Sequence, residues 1–260
     1  MPRSAWYTLG FAAAICLVCS VLVTSAAVSL EDRQEINLVL DRQKNVLMAA
    51  GLLQQGEAVT SEEVERRFSS FEAVVVDLKT GQEVPDIDPT SVDQRKMARD
   101  PDRSFEVDPN PAQVKRVANQ AVVYKLVGES GDLEKLVLPV EGQGLWGALY
   151  GFVAIGGDLQ TIEGLTFYEH KETPGLGGEV DNPNWKALWP GRKIYGSDGQ
   201  VAIEVIKGPA GPVAEDPYRV DGLSGATITS RGVTYLLDFW LGEQGFGDYF
   251  DTFRDERRAA

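Results

Sequence analysis

The sequence predicts an α+β fold: a single N-terminal transmembrane helix, then a domain built on an antiparallel sheet with peripheral helices. Three observations predict it. Residues 9–28 carry no charge and are mostly Ala, Leu, Val, Ile and Phe. Beyond them, apolar segments of strand length follow one another with Gly-rich turns between, the pattern of consecutive hairpins. Helical periodicity is concentrated toward the two ends of the chain. Gly-x-Gly-x-x-Gly occurs at Gly142–Gly147, but between two strand-like runs rather than at the opening of a helix, and Gly-x-x-x-x-Gly-Lys-Ser/Thr is absent, so neither a doubly wound fold nor a P-loop is indicated.

Composition narrows the function classes. The formal charge of −14 over 260 residues lacks the cationic footprint that nucleic acid requires. The charges are dispersed, as on a solvated surface. Cys16 and Cys19 are the only cysteines and both lie in the apolar stretch, so neither a disulfide framework nor a metal cluster is expected elsewhere.

The apolar stretch matches the thickness of a bilayer core. Arg3 precedes it, Trp6 and Tyr7 sit at the interface, and Glu31 and Asp32 follow. That asymmetry places the N-terminus in the cytoplasm and everything after residue 30 outside. A cleaved signal peptide ending near Ser25-Ala26-Ala27 competes with a retained anchor and would insert the same way. The expected division is an anchor over 1–30, a connecting helix over 31–60 and an extracytoplasmic domain over 61–260.

Ile36, Val39, Leu40, Leu47 and Ala50 recur at helical spacing, and Gly51 suits the position just past a helix end. Thr60-Ser61-Glu62-Glu63 fits a capping box opening a short helix to about Ser69. Residues 73–78 read as a strand turned at Lys79-Thr80-Gly81. The polar, Pro-, Asp- and Arg-rich residues 83–112 read as either an extended surface excursion or a partly ordered insertion, with no evident chemistry. Residues 121–127 and 135–140 form a hairpin, and 148–155 and 162–168 add two strands after Gly142-Gln143-Gly144-Leu145-Trp146-Gly147. A helix over 182–189, a strand over 201–207 and a helix over 233–241 complete the chain.

Two stretches carry possible chemistry. Asp221-Gly222-Leu223-Ser224-Gly225-Ala226-Thr227-Ile228-Thr229-Ser230 opens the last of those helices. A first helical turn leaves N–H groups unpaired and carries partial positive charge, so it stabilises a phosphate. Ser and Thr there serve equally well as ordinary N-caps. Ser-Gly-Ala-Thr is expected by chance in roughly one chain of this length in two hundred, and requiring Asp221 makes it about twentyfold rarer. The second stretch, Glu172-Thr173-Pro174-Gly175-Leu176-Gly177-Gly178, is an irregular loop whose backbone can approach a ligand, or an ordinary connection. Gly175 or Gly177 should adopt a conformation open mainly to glycine. Lys207, delivered to the edge of 221–230, either pairs with an anion or faces solvent. Trp146 is a core residue or a ligand neighbour. His170, the lone histidine, makes neither a metal site nor a triad by itself.

Asp221-x-x-Ser224-Gly225-Ala226-Thr227 resembles the flavinylation signature of the FMN-binding domain family, and the block from Glu172 to Gly178 resembles that family's other segment. With one membrane span before them, the two blocks look most like the C subunits of bacterial Na+-translocating NADH:quinone reductases. The resemblance implies FMN esterified through its phosphate to Thr227 by a dedicated flavin transferase. The implied flavin segment is about 142–230, with Asp221, Ser224, Gly225, Ala226, Trp146, Glu172, Thr173, Gly175, Leu176 and Gly177 around the cofactor, and Lys207 a candidate partner of its phosphate if it does not face solvent. It also implies a relay subunit, inactive alone, among other membrane subunits in the bacterial inner membrane, with the flavin domain on the periplasmic side. The G subunit of the Rnf electron-transport complex is the nearest alternative, and a non-redox anchored scaffold a more distant one. A reporter fused after residue 260 should work only if it functions outside the cytoplasm. Activity of a reporter confined to the cytoplasm would refute the orientation.

Overall fold

The computed structural model describes residues 4–259, so Arg3, on which the expected orientation partly rests, lies outside them. The chain divides into two compact units, Met1–Arg42 and Gln43–Ala260. Helix α1 runs Ala5–Ala49. Its segment Ala5–Glu31, with mean hydropathy 2.4, is long and apolar enough to cross a membrane. The helix continues past residue 30 without interruption, as expected of a connecting helix that extends the apolar segment. From residue 11 to residue 49 there is no Gly or Pro to interrupt the helix. It closes where expected: Gly51 takes φ +73°, and the Leu52 N–H reaches the Leu47 carbonyl at 2.8 Å.

In the second unit, α2 (Ser61–Phe68) begins at Thr60, whose hydroxyl accepts the Glu63 N–H at 3.3 Å. Next come β1 (Phe71–Asp77), β2 (Gln82–Glu83), α3 (Gln94–Met97), β3 (Ser104–Phe105), β4 (Val117–Ala118), β5 (Gln120–Val127), β6 (Leu133–Gln143), β7 (Ala148–Gly156) and β8 (Ile162–Glu169). Then follow α4 (Pro183–Lys186), β9 (Glu204–Val205), β10 (Arg219–Val220), α5 (Thr227–Leu241) and α6 (Gly247–Ala259). The main sheet has the order β2-β1-β5-β6-β7-β8 and every neighbouring pair is antiparallel.

One sheet face is covered by α5, and the approach is close. A Cβ on Gly232 of α5 would lie 2.4 Å from the Gln143 carbonyl oxygen, and one on Gly142 of β6 would lie 2.9 Å from Leu236 Cβ. Helix and strand can meet backbone to backbone because both contact positions are glycine. The Trp240 indole N–H donates to the Glu141 carbonyl at 2.6 Å and fixes the helix along the strand. Leu136, Leu138, Val140, Leu149, Leu236, Leu237, Phe246 and Phe250 fill the space around that contact. Each such side chain contributes about 1.5–3 kcal/mol by leaving water. Elsewhere in the unit, Tyr124 of β5 packs edge-on against Phe68 of α2 and Phe152 of β7, with ring centroids 5.5 and 6.1 Å away.

Two expectations need correction, and one left open is resolved. The strand over 201–207 shrinks to Glu204–Val205, paired in parallel with Arg219–Val220. Its remaining donors are used elsewhere: the Ala202 and Ile203 N–H groups share the Ile194 carbonyl, and Val205 N–H goes to the Thr234 hydroxyl. The helix over 182–189 is only Pro183–Lys186. The excursion over 83–112 is structured, because its aspartates are caps. Asp88, Asp93 and Asp100 accept the N–H groups of Thr90, Lys96 and Asp102 and so start three short helical turns.

Burial pushes the Glu141 carboxyl up to about 7, against the opposing pull of Arg95. The folded chain therefore keeps a proton there that the unfolded chain has lost, and stability falls as pH rises from the ordinary glutamate range to about 7. Glu141→Gln should raise the melting temperature at pH 8 and change it little near pH 4. A larger gain at the acid end would contradict the burial account.

Candidate functional site

Helix α5 starts at Thr227 without a side-chain cap. Its N-cap residue is Ala226, at φ −129° and ψ 50°, which makes no side-chain hydrogen bond to the helix. The Ser/Thr N-cap that the sequence allowed is therefore not formed. The nearest hydroxyls inside the helix are committed elsewhere. Ser230 Oγ accepts the Leu223 N–H at 3.0 Å, and Thr229 Oγ1 donates to Glu172 Oε2 at 2.5 Å. The first i→i−4 bond runs from the Ser230 N–H to the Ala226 carbonyl, so the N–H groups of residues 227–229 precede the helical ladder. Thr227 and Ser224 are exposed, Ala226 is buried, and Gly225 turns the chain at φ +70°.

Glu172 organises what surrounds this helix start. It is buried, yet both carboxyl oxygens are satisfied: Oε2 by Thr229, and Oε1 by the Trp146 backbone N–H at 2.8 Å. One side chain thus joins the loop after β8, the β6–β7 turn and the first turn of α5. Gly177 is required by that packing, since a Cβ there would sit 2.4 Å from Glu172 Oε2 and 2.6 Å from Thr229 Oγ1. Of the two loop glycines expected to differ from other residues, Gly175 has the left-handed φ of +76° and Gly177 the missing space. The Thr173 carbonyl accepts N–H groups from Leu176 at 3.1 Å and Gly178 at 2.9 Å, closing the loop on itself. Leu176 leans toward the helix start, its Cδ2 3.0 Å from where a Cβ on Gly225 would be. His170 accepts the Glu172 N–H at Nδ1 (3.2 Å) and faces Asp181 Oδ2 through Nε2 (3.0 Å), which places the proton of the neutral ring on Nε2.

The structure separates the remaining site residues by role. Asp221 is occupied within the protein: its Oδ1 accepts the Ala210 N–H and its carbonyl the Trp185 indole N–H, both at 2.9 Å. It pins the loop that delivers the Ser-Gly-Ala-Thr segment. Lys207 is exposed, and its segment lies beside Gly222, whose N–H bonds the Gly208 carbonyl at 2.9 Å. Thr173 is exposed as well. Sequence reasoning missed Thr229 and Gly144 as supports. Thr229 meets its partner across 57 positions, and a Cβ on Gly144 would lie 2.6 Å from Glu172 Oε1. Only the density of glycines around Trp146 hinted at the second.

Chemically, the arrangement offers an uncapped helix start to a phosphate and an apolar surround to a flat ring. Trp146 is 65 % exposed, and Leu145, Leu176 and Ile228 are also large apolar side chains left open to solvent. These residues fit FMN. Glu172→Ala would leave the Trp146 N–H and Thr229 O–H without their acceptor, a loss of about 1–3 kcal/mol for each buried group. Urea unfolding should show that loss, with a smaller one for Glu172→Gln, which retains one acceptor oxygen. Equal stability of Glu172→Ala and the parent would contradict the clamp.

The model of the FMN-binding domain family matches residues 144–242, a span that contains the turn, the loop and α5. The chain is 47 % identical over 251 residues to the C subunit of the Na(+)-translocating NADH-quinone reductase of Pseudomonas aeruginosa, covering 95 % of each chain. It is 43 % identical to the corresponding C subunit of Yersinia pestis over 93 % of this chain and 90 % of that one. Among solved structures, NqrC of Shewanella oneidensis superposes with a TM-score of 0.76 at 36 % identity, over 83 % of this chain and 97 % of that one. The C subunit of the Parabacteroides distasonis reductase gives 0.63 at 28 % identity, over 86 % and 96 %. On identity of this order across nearly its whole length, the chain belongs to the family of C subunits of Na(+)-translocating NADH-quinone reductases.

Proposed function

We propose that this chain is the FMN-carrying electron-transfer subunit of a Na+-translocating NADH:quinone reductase, with the FMN phosphate esterified to Thr227. The observation that carries the reading is the uncapped start of α5, where Thr227 stands exposed beside a pre-formed loop and turn. FMN supplies the redox chemistry, and the protein fixes its place and surroundings. Backbone N–H groups of the first helical turn would hold the phosphate, with Lys207 as a nearby cation. Trp146 and Leu176 would exclude water from the ring, and Glu172 and Asp221 would hold the segments that carry them. Likeness to named C subunits over nearly the whole chain supports this complex over an Rnf complex.

The chain is inactive alone in this reading and works with the other membrane subunits. The apolar segment of α1 anchors it in the bacterial inner membrane, N-terminus in the cytoplasm and flavin domain in the periplasm. A threonine hydroxyl is a poor nucleophile without a base. The buried carboxyl group at the helix start, that of Glu172, is committed to Thr229 rather than Thr227. A separate flavin transferase therefore makes the ester: a bond forms from Thr227 Oγ to the FMN phosphorus of FAD, the pyrophosphate bond breaks, and AMP leaves.

Intact-mass measurement tests the acceptor. Thr227→Val should lose the adduct of FMN less one water while the membrane-bound chain persists. Thr229→Ser, which keeps the hydroxyl that Glu172 needs, should retain the adduct. An adduct on the Thr227 variant would move the acceptor elsewhere.

A further inference from the structure

The excess negative charge of the chain is interrupted at a concave place lined by cations. A cavity of about 530 Å³ opens between the segments that carry Arg95 and Arg99, those that carry Lys115 and Arg116, and the adjoining ends of β6 and β7. Four cations therefore line a space of the size that holds small molecules. Two of them are already neutralised. Arg95 makes a two-point pair with Glu169 at 2.6 and 3.0 Å while lying over the Tyr150 ring, 3.9 Å from its centroid. Arg116 pairs with Glu106 at 2.6 Å and donates to the Ser104 hydroxyl at 2.8 Å. Arg99 and Lys115 are exposed and have no ion pair among the described residues. Gln113, beside Lys115 on the rim, is one of two non-glycine residues among those described at positive φ, at +53°. The Asn110 side chain holds that bend through both the N–H and the carbonyl of Val114.

The remaining ionisable groups of the cavity are Glu141 on β6 and Tyr150 on β7. Around Glu141 stand Arg95 from α3, Arg99 just beyond it, Lys115 and Arg116 from the segment before β4, and Tyr150, with Glu169 behind Arg95. None of the four cations belongs to the loop, turn or helix start of the flavin site.

We propose that this cavity is a second binding site, for a small phosphate- or carboxylate-type oxyanion held by Arg99 and Lys115, with the Glu141 carboxyl making binding proton-linked. Two unpaired cations on the cavity lining match the charge of a dianion, and a guanidinium offers the fork that such oxygens take. The volume favours a small ligand over a protein segment. An ionised Glu141 would repel the ligand and a protonated one would not. Because burial sets its titration at about 7, occupancy follows proton uptake in the neutral range.

The test is calorimetric titration of the full chain in detergent, at fixed ionic strength, with sulfate and with oxalate. Both probes stay dianionic from pH 6 to pH 8; sulfate stands for phosphate and oxalate for carboxylates. One saturable site is expected for at least one probe, and the stronger of the two identifies the ligand type. Affinity should be up to about tenfold higher at pH 6 than at pH 8. Arg99→Ala with Lys115→Ala should weaken binding by at least about tenfold. Glu141→Gln should bind at both pH values as the parent does at pH 6. Flavin content, read by intact mass, should be the same in all variants, which separates this site from the one at Thr227. No saturable binding by the parent, unchanged affinity in the double variant, or an unaltered pH dependence in Glu141→Gln would each overturn the proposal.

Discussion

A buried carboxyl group must find donors or lose several kcal/mol of stability, and Glu172 finds its donors on two other segments of the chain. That requirement is what the candidate site depends on. The Trp146 N–H comes from the β6–β7 turn and the Thr229 hydroxyl from the first turn of α5, so satisfying Glu172 brings loop, turn and helix to one point. The space beside it is too small for any side chain at Gly144 or Gly177, which explains the glycines better than flexibility does. Thr229 is used as a support, leaving Thr227, two positions earlier, free to face solvent. The backbone contact of α5 with β6 at Gly232 then carries this local order into the rigid sheet.

Much of the fold was legible because it follows local rules. The hairpins appeared as alternating or apolar runs between glycines, Thr60 appeared as a cap, and Gly51 as a helix stop. The aspartates of 83–112 obey the same capping rule, but each opens a turn too short to show a period, so the segment looked featureless. The parallel pairing of Glu204–Val205 with Arg219–Val220 was hidden for another reason. A two-residue strand leaves no alternation to read, and its neighbouring donors bond to carbonyls and a hydroxyl outside any ladder.

At the candidate site, the sequence marked the right stretches and missed their wiring. Asp221 and Glu172 both stood in motifs, yet nothing along the chain distinguishes a carboxyl group that touches a cofactor from one that holds a loop. Here Asp221 is bound to the Ala210 N–H and Glu172 to Trp146 and Thr229. Such roles depend on contacts between distant positions, which residue spacing does not encode. The cavity around Glu141 was equally invisible, since Arg95 and Arg99 come from the excursion, Lys115 and Arg116 from the segment before β4, and the carboxyl group from the middle of the sheet.

The central claim is that the site is assembled before the flavin arrives, with Glu172 as its clamp and the bare start of α5 as its phosphate seat. A crystal structure of the flavin-loaded protein tests it most directly. The account predicts continuous density from Thr227 Oγ to a phosphate beside the first-turn N–H groups, with Glu172 still bonded to the Trp146 N–H and the Thr229 hydroxyl. A phosphate seated elsewhere, or a Glu172 that has left both partners to contact the flavin, would contradict it.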